Sequence, residues 1–239
     1  MDMDHIFCFR SCVFMKHSKL FNRINLGSGQ QGLGTWVNVD IGTKYKVYYL
    51  LPLFRVLSRL NLLDDKLVSW IAETGRPPPN WKTWDLRKPL PLEPNTMDFV
   101  YCSEVIEHYP MFEARHVIQE ANRILKKGGV FRITTPDVKK ICRGYVEGLL
   151  TCREFNEFFF WHSQDRRPRK LERLGELIYS TNPHMFLYDL GSIQRILLDS
   201  GFSMVREYSM GVGTVPDLNK LEENMDKRRR FSMYIEASK

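Results

Sequence analysis

The stretch Arg23 to Gly42 reads R-I-N-L-G-S-G-Q-Q-G-L-G-T-W-V-N-V-D-I-G, and the rest of the chain is organised around it. A short strand at Arg23 to Leu26 runs into a glycine turn, and a second apolar run, Trp36 to Val39, ends on Asp40. Glycine at 27 and 29 permits positive φ and lets a ligand approach where a Cβ would clash. An acid at the tip of the second strand can accept two hydrogen bonds from a ribose diol. The pattern is half of a nucleotide-binding βαβ unit. A dinucleotide fingerprint needs, in addition, a third glycine that opens a helix so that a pyrophosphate rests on the helix N-terminus. Gly32 and Gly34 come close together and no helical period follows them, which disfavours a pyrophosphate ligand.

A nucleoside bearing an amino acid, such as S-adenosylmethionine, needs the ribose acid and the open turn but no phosphate cradle. The 239 residues, 43% of them apolar, can bury the core of one α/β domain with insertions. The five cysteines, Cys8, Cys12, Cys102, Cys142 and Cys152, are scattered, and no C-x-x-C pair suggests zinc or redox chemistry. A reducing, cytoplasmic setting is expected. Arg10, Lys16, His17 and Lys19 interrupt the N-terminal apolar positions, so no signal peptide is expected. The longest apolar run elsewhere, Val47 to Leu51, is far short of a bilayer span, and a soluble protein is expected. Net charge is +7 and the excess is local, in R-R-P-R-K at 166–170 and K-R-R-R at 227–230. Such runs are solvated faces or the seat of an anionic partner.

After Asp40 the tyrosine- and leucine-rich segment 44–63 stands where a crossover helix is expected, either packed in the core or serving as a greasy lid for a lipid-linked acceptor. A helix over Asp65 to Glu73 is predicted from Leu67, Trp70 and Ile71, with Asp64 or Asp65 as cap and Gly75 as stop. Strands are predicted at Trp81 to Trp84 and Met97 to Cys102. The apolar positions Phe112, Ala114, Val117, Ile118, Ala121, Ile124 and Leu125 trace one face of a helix that Gly128-Gly129 would stop. A strand at Val130 to Thr134 follows, then a helix starting at Thr135-Pro136-Asp137 with Val138, Ile141, Cys142, Tyr145, Val146 and Leu149 inward. A helix capped by Asp189 runs through Ile193, Ile196 and Leu197 to Gly201. Strands at Ser203 to Tyr208 and Phe231 to Ala237 close the chain, the last alternating as an edge or half-exposed strand would. Seven strands with helices between them predict a three-layer α/β sandwich.

The order of motifs resembles the class I S-adenosylmethionine-dependent methyltransferases over Arg23 through Ala237. The residues that carry the likeness are N-L-G-S-G at 25–29 with Asp40, W-D-L at 84–86, M-D-F-V-Y-C-S-E-V-I-E-H at 97–108, and R-I-L-K-K-G-G-V-F-R-I-T-T-P at 123–136. The L-G-x-G and W-x-N-V-D opening, the P-L-P loop and the G-F before the terminal strands look like the small methyltransferases of sugar and cell-envelope polysaccharide gene clusters. The resemblance implies a Rossmann-like, seven-stranded, mostly parallel sheet with its last strand antiparallel. It also implies a single domain over 1–239, with insertions at about 43–79 and 151–187 as a substrate lid.

Position by position, the likeness implies that Gly27, Ser28 and Gly29 pass under the methionine moiety and that Asp40 holds the ribose hydroxyls. Ile41 would pack on adenine, Asp85 would accept from the adenine amino group beside the Leu86 N–H, and Ser103 would line the sulfonium side. Asn25 stands where the family often has an acid, and can still accept a hydrogen bond. Methyl transfer from a sulfonium asks mainly for in-line positioning. A hydroxyl acceptor also needs a base, and His108 is the candidate. Glu104, Glu107 and His108 fall at i, i+3 and i+4, which on a helical turn puts them on one face. His108 can alternatively fix the loop, or join the two acids on a divalent ion, although no metal is assigned. The expected activity is O-methylation of a sugar or cell-envelope glycan precursor, an anionic small molecule free or lipid-linked, with peripheral membrane contact allowed. An RNA methyltransferase or RNA-binding protein is the rival, but the chain has no recognisable RNA module, so a nucleic-acid partner is disfavoured. A non-catalytic adaptor is the third reading.

Overall fold

The computed structural model describes residues 22–30, 32–41, 43–159, 184–223 and 230–239. Seven strands form one sheet: β1 (Arg23–Leu26), β2 (Val37–Val39), β3 (Trp81–Lys82), β4 (Met97–Ser103), β5 (Leu125–Pro136), β6 (Met204–Tyr208) and β7 (Ser232–Ser238). Their order is β3-β2-β1-β4-β5-β7-β6. All pairings are parallel except those of β7, which runs antiparallel to both β5 and β6. This is the Rossmann-like α/β sandwich with an antiparallel last strand. β6, not β7, is the edge: β7 is buried along nearly its whole length because loop 209–222 covers the polar half of its alternation.

The described helices are α1 (Thr43–Tyr48), α2 (Leu51–Arg59), α3 (Asp65–Thr74), α4 (Met111–Ile124), α5 (Val138–Val146), α6 (Cys152–Glu157), α7 (Leu190–Asp199) and α8 (Leu218–Leu221). α4 and α7 lie on one face of the sheet, where Val117, Ile118, Ala121, Ile193 and Leu197 meet Ile24, Leu26, Val100, Phe131, Ile133 and Ile235 in one apolar cluster. At about 25 cal/mol per Å² of apolar surface, burial on this face is the main term holding the fold. α4 stops at Ile124, before the predicted glycines. Gly128-Gly129 belong instead to an irregular start of β5, where Leu125 pairs with Met97 and the Gly128 N–H donates to the Lys239 carbonyl at 2.9 Å. Phe112, expected on the inner face of α4, is exposed.

The opposite face is covered differently. β1 and β2 are joined by residues 27–36 with no helix between them among the described residues. The space is filled by Trp36, Tyr101, Val215, Leu218 and Leu221, the last three from the segment between β6 and β7. The Trp36 indole donates to Asp217 at 3.2 Å, and Arg23 reaches the same carboxylate at 3.1 Å.

Two satellites leave the sheet. α1–α3 pack on themselves through Leu51, Val68 and Ile71, and α3 is capped by Asp64 as expected. The side chains of Leu67 and Trp70 lie outside those described. Segment 44–63 is thus two helices rather than sheet core, and Leu50, Leu53, Val56 and Leu60 stay exposed. α5 and α6 form the second satellite, with Ile141, Leu150 and Phe158 around Phe231. α5 begins after an Asp137 cap, with Thr135-Pro136 still in β5. Cys142, Tyr145, Val146 and Leu149, predicted inward, are exposed, because α5 touches the fold mainly through Ile141 and Gly144. A Cβ on Gly144 would lie 2.5 Å from the Phe231 ring. Among the described residues no helix is long and apolar enough to cross a membrane.

Candidate active site

The C-terminal ends of β1, β2 and β4 converge on the glycine turn. Gly27 and Gly29 take φ of +69° and +50°. A Cβ on Gly27 would meet Val105 at 2.3 Å, so this glycine is required by packing, whereas a Cβ on Gly29 would meet nothing within 4 Å. Gly29 therefore borders open space in a backbone conformation that side chains rarely adopt. The turn is pinned to β2 twice: the Ser28 N–H donates to the Val39 carbonyl at 3.0 Å, and the Gly29 N–H donates to an Asp40 carboxylate oxygen at 3.0 Å. Asp40 holds the turn as well as ending the strand. Ile41, beside it, is exposed.

Asn38 is a positioning residue that the pattern W-V-N-V-D did not single out. It is fully buried, and its amide donates to the carbonyls of Leu33 at 2.9 Å and Pro79 at 2.6 Å. That ties loop 32–36 and the three prolines to β2. Gly32 makes room for this arrangement, since a Cβ there would lie within 2.6 Å of both Pro78 and Asn38.

Asp85 sits in the loop after β3. Its carboxylate accepts a fork of hydrogen bonds from Arg87, Nε and Nη2 each at 2.9 Å, and a third from the Arg87 backbone N–H at 3.1 Å. The guanidinium hydrogen bond holds the Asp85 carboxyl below its ordinary value, against the opposing effect of partial burial. The Leu86 side chain is buried in the main cluster.

Ser103 ends β4 and shares a 2.7 Å hydrogen bond with Thr134. Next to it Glu104 takes φ of +53°, and its carboxylate accepts from Ser232 at 3.0 Å and Thr134 at 3.4 Å. Glu104, Glu107 and His108 do not share one helical face. Glu104 is in the left-handed region, outside the single 3₁₀ turn Ile106–His108, so the i, i+3, i+4 geometry of an α-helix never forms. Glu107 is fully buried and accepts from the Thr135 hydroxyl at 3.2 Å. Its carbonyl accepts the Met185 N–H at 2.7 Å and the Phe186 N–H at 3.2 Å. These bonds bring His184 over the turn, with its ring centroid 4.8 Å from that of His108. One ligand-competent atom from each of Glu107, His108 and His184 lies within 4.8 Å of the others.

His184, in N-P-H-M-F, was not legible as a site residue, because no local spacing links it to His108. Burial pushes the Tyr109 phenol up to about 12, and the Tyr188 phenol likewise up to about 12 with the Glu107 charge adding to it. Burial also pushes the Cys102 thiol up, which removes it as a nucleophile. The run Arg166, Arg167, Arg169 and Lys170 lies outside the described residues, as does most of K-R-R-R. Arg230 is described, with its guanidinium 4.7 Å from the Phe231 ring centroid.

A family model described as a methyltransferase domain matches residues 49–133, a stretch that holds Asp85, Leu86, Ser103 and His108 and begins beyond Asp40. No curated protein matches the chain. Among solved structures, the chain is similar to the CurJ carbon methyltransferase at 15% identity and TM-score 0.45, covering 94% of this chain but only half of that one. A SAM-dependent methyltransferase from Archaeoglobus fulgidus has 14% identity and TM-score 0.44, covering 92% and 88%. The YcgJ protein from Bacillus subtilis has 13% identity and TM-score 0.45, covering 91% of each. At these scores the likenesses say nothing of substrate. The family match covers about a third of the chain.

Proposed function

We propose that the chain is an S-adenosylmethionine-dependent methyltransferase and that it methylates a hydroxyl oxygen of an anionic acceptor, a sugar or cell-envelope glycan precursor, free or lipid-linked. The observation that carries the reading is the polar rim beyond β4 and β5. There Ser103, Glu104 and the buried Thr134 and Ser232 form one hydrogen-bonded string, and Glu107, grouped with His108 and His184, bonds the next residue of β5, Thr135. Such a rim suits a hydroxyl-rich acceptor better than an apolar one.

S-adenosylmethionine supplies a methyl group already activated on a sulfonium. Gly27, Ser28 and Gly29 pass under its amino-acid end, and Asp40 accepts from the ribose hydroxyls while keeping the Gly29 N–H. Ile41 covers an adenine face, Asp85 and the Leu86 N–H meet the adenine edge, and Ser103 faces the sulfonium. Asp85 serves both Arg87 and the adenine, because a carboxylate has about four lone-pair sites. His108 takes the proton that the hydroxyl gives up as its oxygen gains the methyl. The insertion at about 43–79, with the described ends of the second at 151–159 and 184–187, lies on the acceptor side; the basic run at 166–170 is outside the described residues.

Calorimetry with S-adenosylmethionine, followed by detection of S-adenosylhomocysteine with nucleotide sugars and uronates as acceptors, tests the reading. Asp40→Ala should cost about 1–3 kcal/mol of cofactor affinity by leaving ribose hydroxyls unpaired. Turnover of RNA with a steep salt dependence, and none of sugars, would replace the acceptor class.

A further inference from the structure

We propose that Glu107, His108 and His184 form a binding site for a divalent transition-metal cation of the zinc or cobalt type. Two imidazoles and a carboxylate are the donor set such ions take with an open position left for a ligand. Metal–ligand bonds of about 2.0–2.2 Å put neighbouring donor atoms about 3.4 Å apart around a tetrahedral ion. The observed atoms lie within 4.8 Å of one another, so small side-chain rotations close the site.

The donors are held from behind as metal ligands are. His184 places Nδ1 on the Phe158 carbonyl oxygen. A carbonyl only accepts, so a neutral ring bonded there carries its proton on Nδ1 and has Nε2 as its ligand atom. Glu107 is buried to 0% exposure, and its Oε2 is fixed by the Thr135 hydroxyl. The Glu107 carbonyl binds the backbone N–H groups of Met185 and Phe186, so the segment carrying His184 is clamped to the turn carrying the other two donors. Glu104 is not part of the set, because its carboxylate is turned to Ser232 and Thr134.

The inference deepens the proposed function and rests on it for the ion's role, not for its binding. The cluster is tied to the C-terminal end of β5 through the Thr135 hydroxyl, one residue past Thr134. An ion held by Glu107, His108 and His184 would act as a Lewis acid on a hydroxyl at its open position, easing loss of that proton to solvent. Without one, His108 is the proton acceptor.

The test uses the full chain, stripped with a chelator, dialysed, and titrated with Co²⁺ while visible absorption is recorded, with Zn²⁺ calorimetry in parallel. The expected result is a single saturable site with the d–d bands of a low-coordinate imidazole and carboxylate set. In His184→Ala the affinity should fall at least tenfold while S-adenosylmethionine affinity is kept. Glu107→Gln should weaken the metal similarly, and since that residue is buried, its circular dichroism is checked first. His184, only partly buried, keeps the test decisive if Glu107→Gln does not fold. No saturable binding by the folded protein, or equal binding by His184→Ala, overturns the site and leaves the methyltransferase reading standing. Metal binding without hydroxyl methylation would leave the site and sink the acceptor reading instead.

Discussion

On one face of the sheet Ile24, Leu26, Val100, Phe131, Ile133 and Ile235 meet two helices; one residue along the same strands, the other face carries Asn25, Tyr101, Arg132, Tyr234 and Glu236. Both faces are buried. The first needs only shape and apolar area, so many side chains of similar volume would serve. The second needs a partner for every polar atom. Arg132, at 0% exposure, has Glu222 on a fork at 2.9 and 3.0 Å, the Val212 and Ser209 carbonyls at 3.0 and 3.2 Å, and Glu236 across the strand pair. Glu236 in turn takes the backbone N–H of Thr214 and of Val215. Loop 209–222 thus lies on the sheet in one arrangement only. The difference teaches that where no crossover helix covers β1 and β2, a specific ionic network fixes the loop that does.

Adjacent residues on β5 test this contrast. Arg132→Met leaves Glu222 and Glu236 buried without their cation and should cost about 3–5 kcal/mol in urea unfolding, with part recovered in Arg132→Met/Glu222→Leu. A loss under about 1 kcal/mol would show that the network is not what holds the loop. Ile133→Val, one residue on and facing the apolar side, should cost only about 0.5–1.5 kcal/mol, and the same experiment reads it. Trp36→Phe replaces the indole by a smaller ring and drops the bond to Asp217, whose loss alone costs about 0.5–1.5 kcal/mol, and should expose loop 209–222 to faster amide exchange.

The smallest effect belongs to Glu120 on the helical side. It accepts from Arg123 and from the Leu90 N–H, and the Arg123 hydrogen bond holds its carboxyl below the ordinary 4.5. A depressed folded value contributes stability that is present above pH 4.5 and lost as the pH falls through that lower value. Glu120→Gln should therefore flatten the decline of stability below pH 4.5 and change little at neutral pH. An unchanged acid limb would remove Glu120 from the account.

Much of the fold was legible because short periods betray burial. The bounds of β1 are as predicted, and β2 and β4 fall within a residue of expectation at either end, since continuous apolar runs next to glycine or a terminal acid have few alternatives. α5 misled because Cys142, Tyr145, Val146 and Leu149 repeat at helical spacing, although the helix has little to pack on besides Phe231. β7 misled in the opposite sense: F-S-M-Y-I-E-A alternates as an edge or half-exposed strand would, yet its polar half is buried against Arg132 and loop 209–222.

Read alone, the sequence determined the α/β class, the glycine turn with Asp40, and most of the strand ends, all of which follow from local backbone preference and from periods of two and 3.6 residues. Only the tertiary structure decided that Asp85 is forked by Arg87, that Glu104 parts from Glu107, that Arg132 is a buried cation, and that His184 stands over His108. Except for the short Asp85 fork and the left-handed φ at Glu104, these are contacts between residues far apart in the chain. No local spacing encodes them, and they arise because closing the sheet and clamping Met185 and Phe186 to Glu107 bring their partners within hydrogen-bond or ring-contact reach.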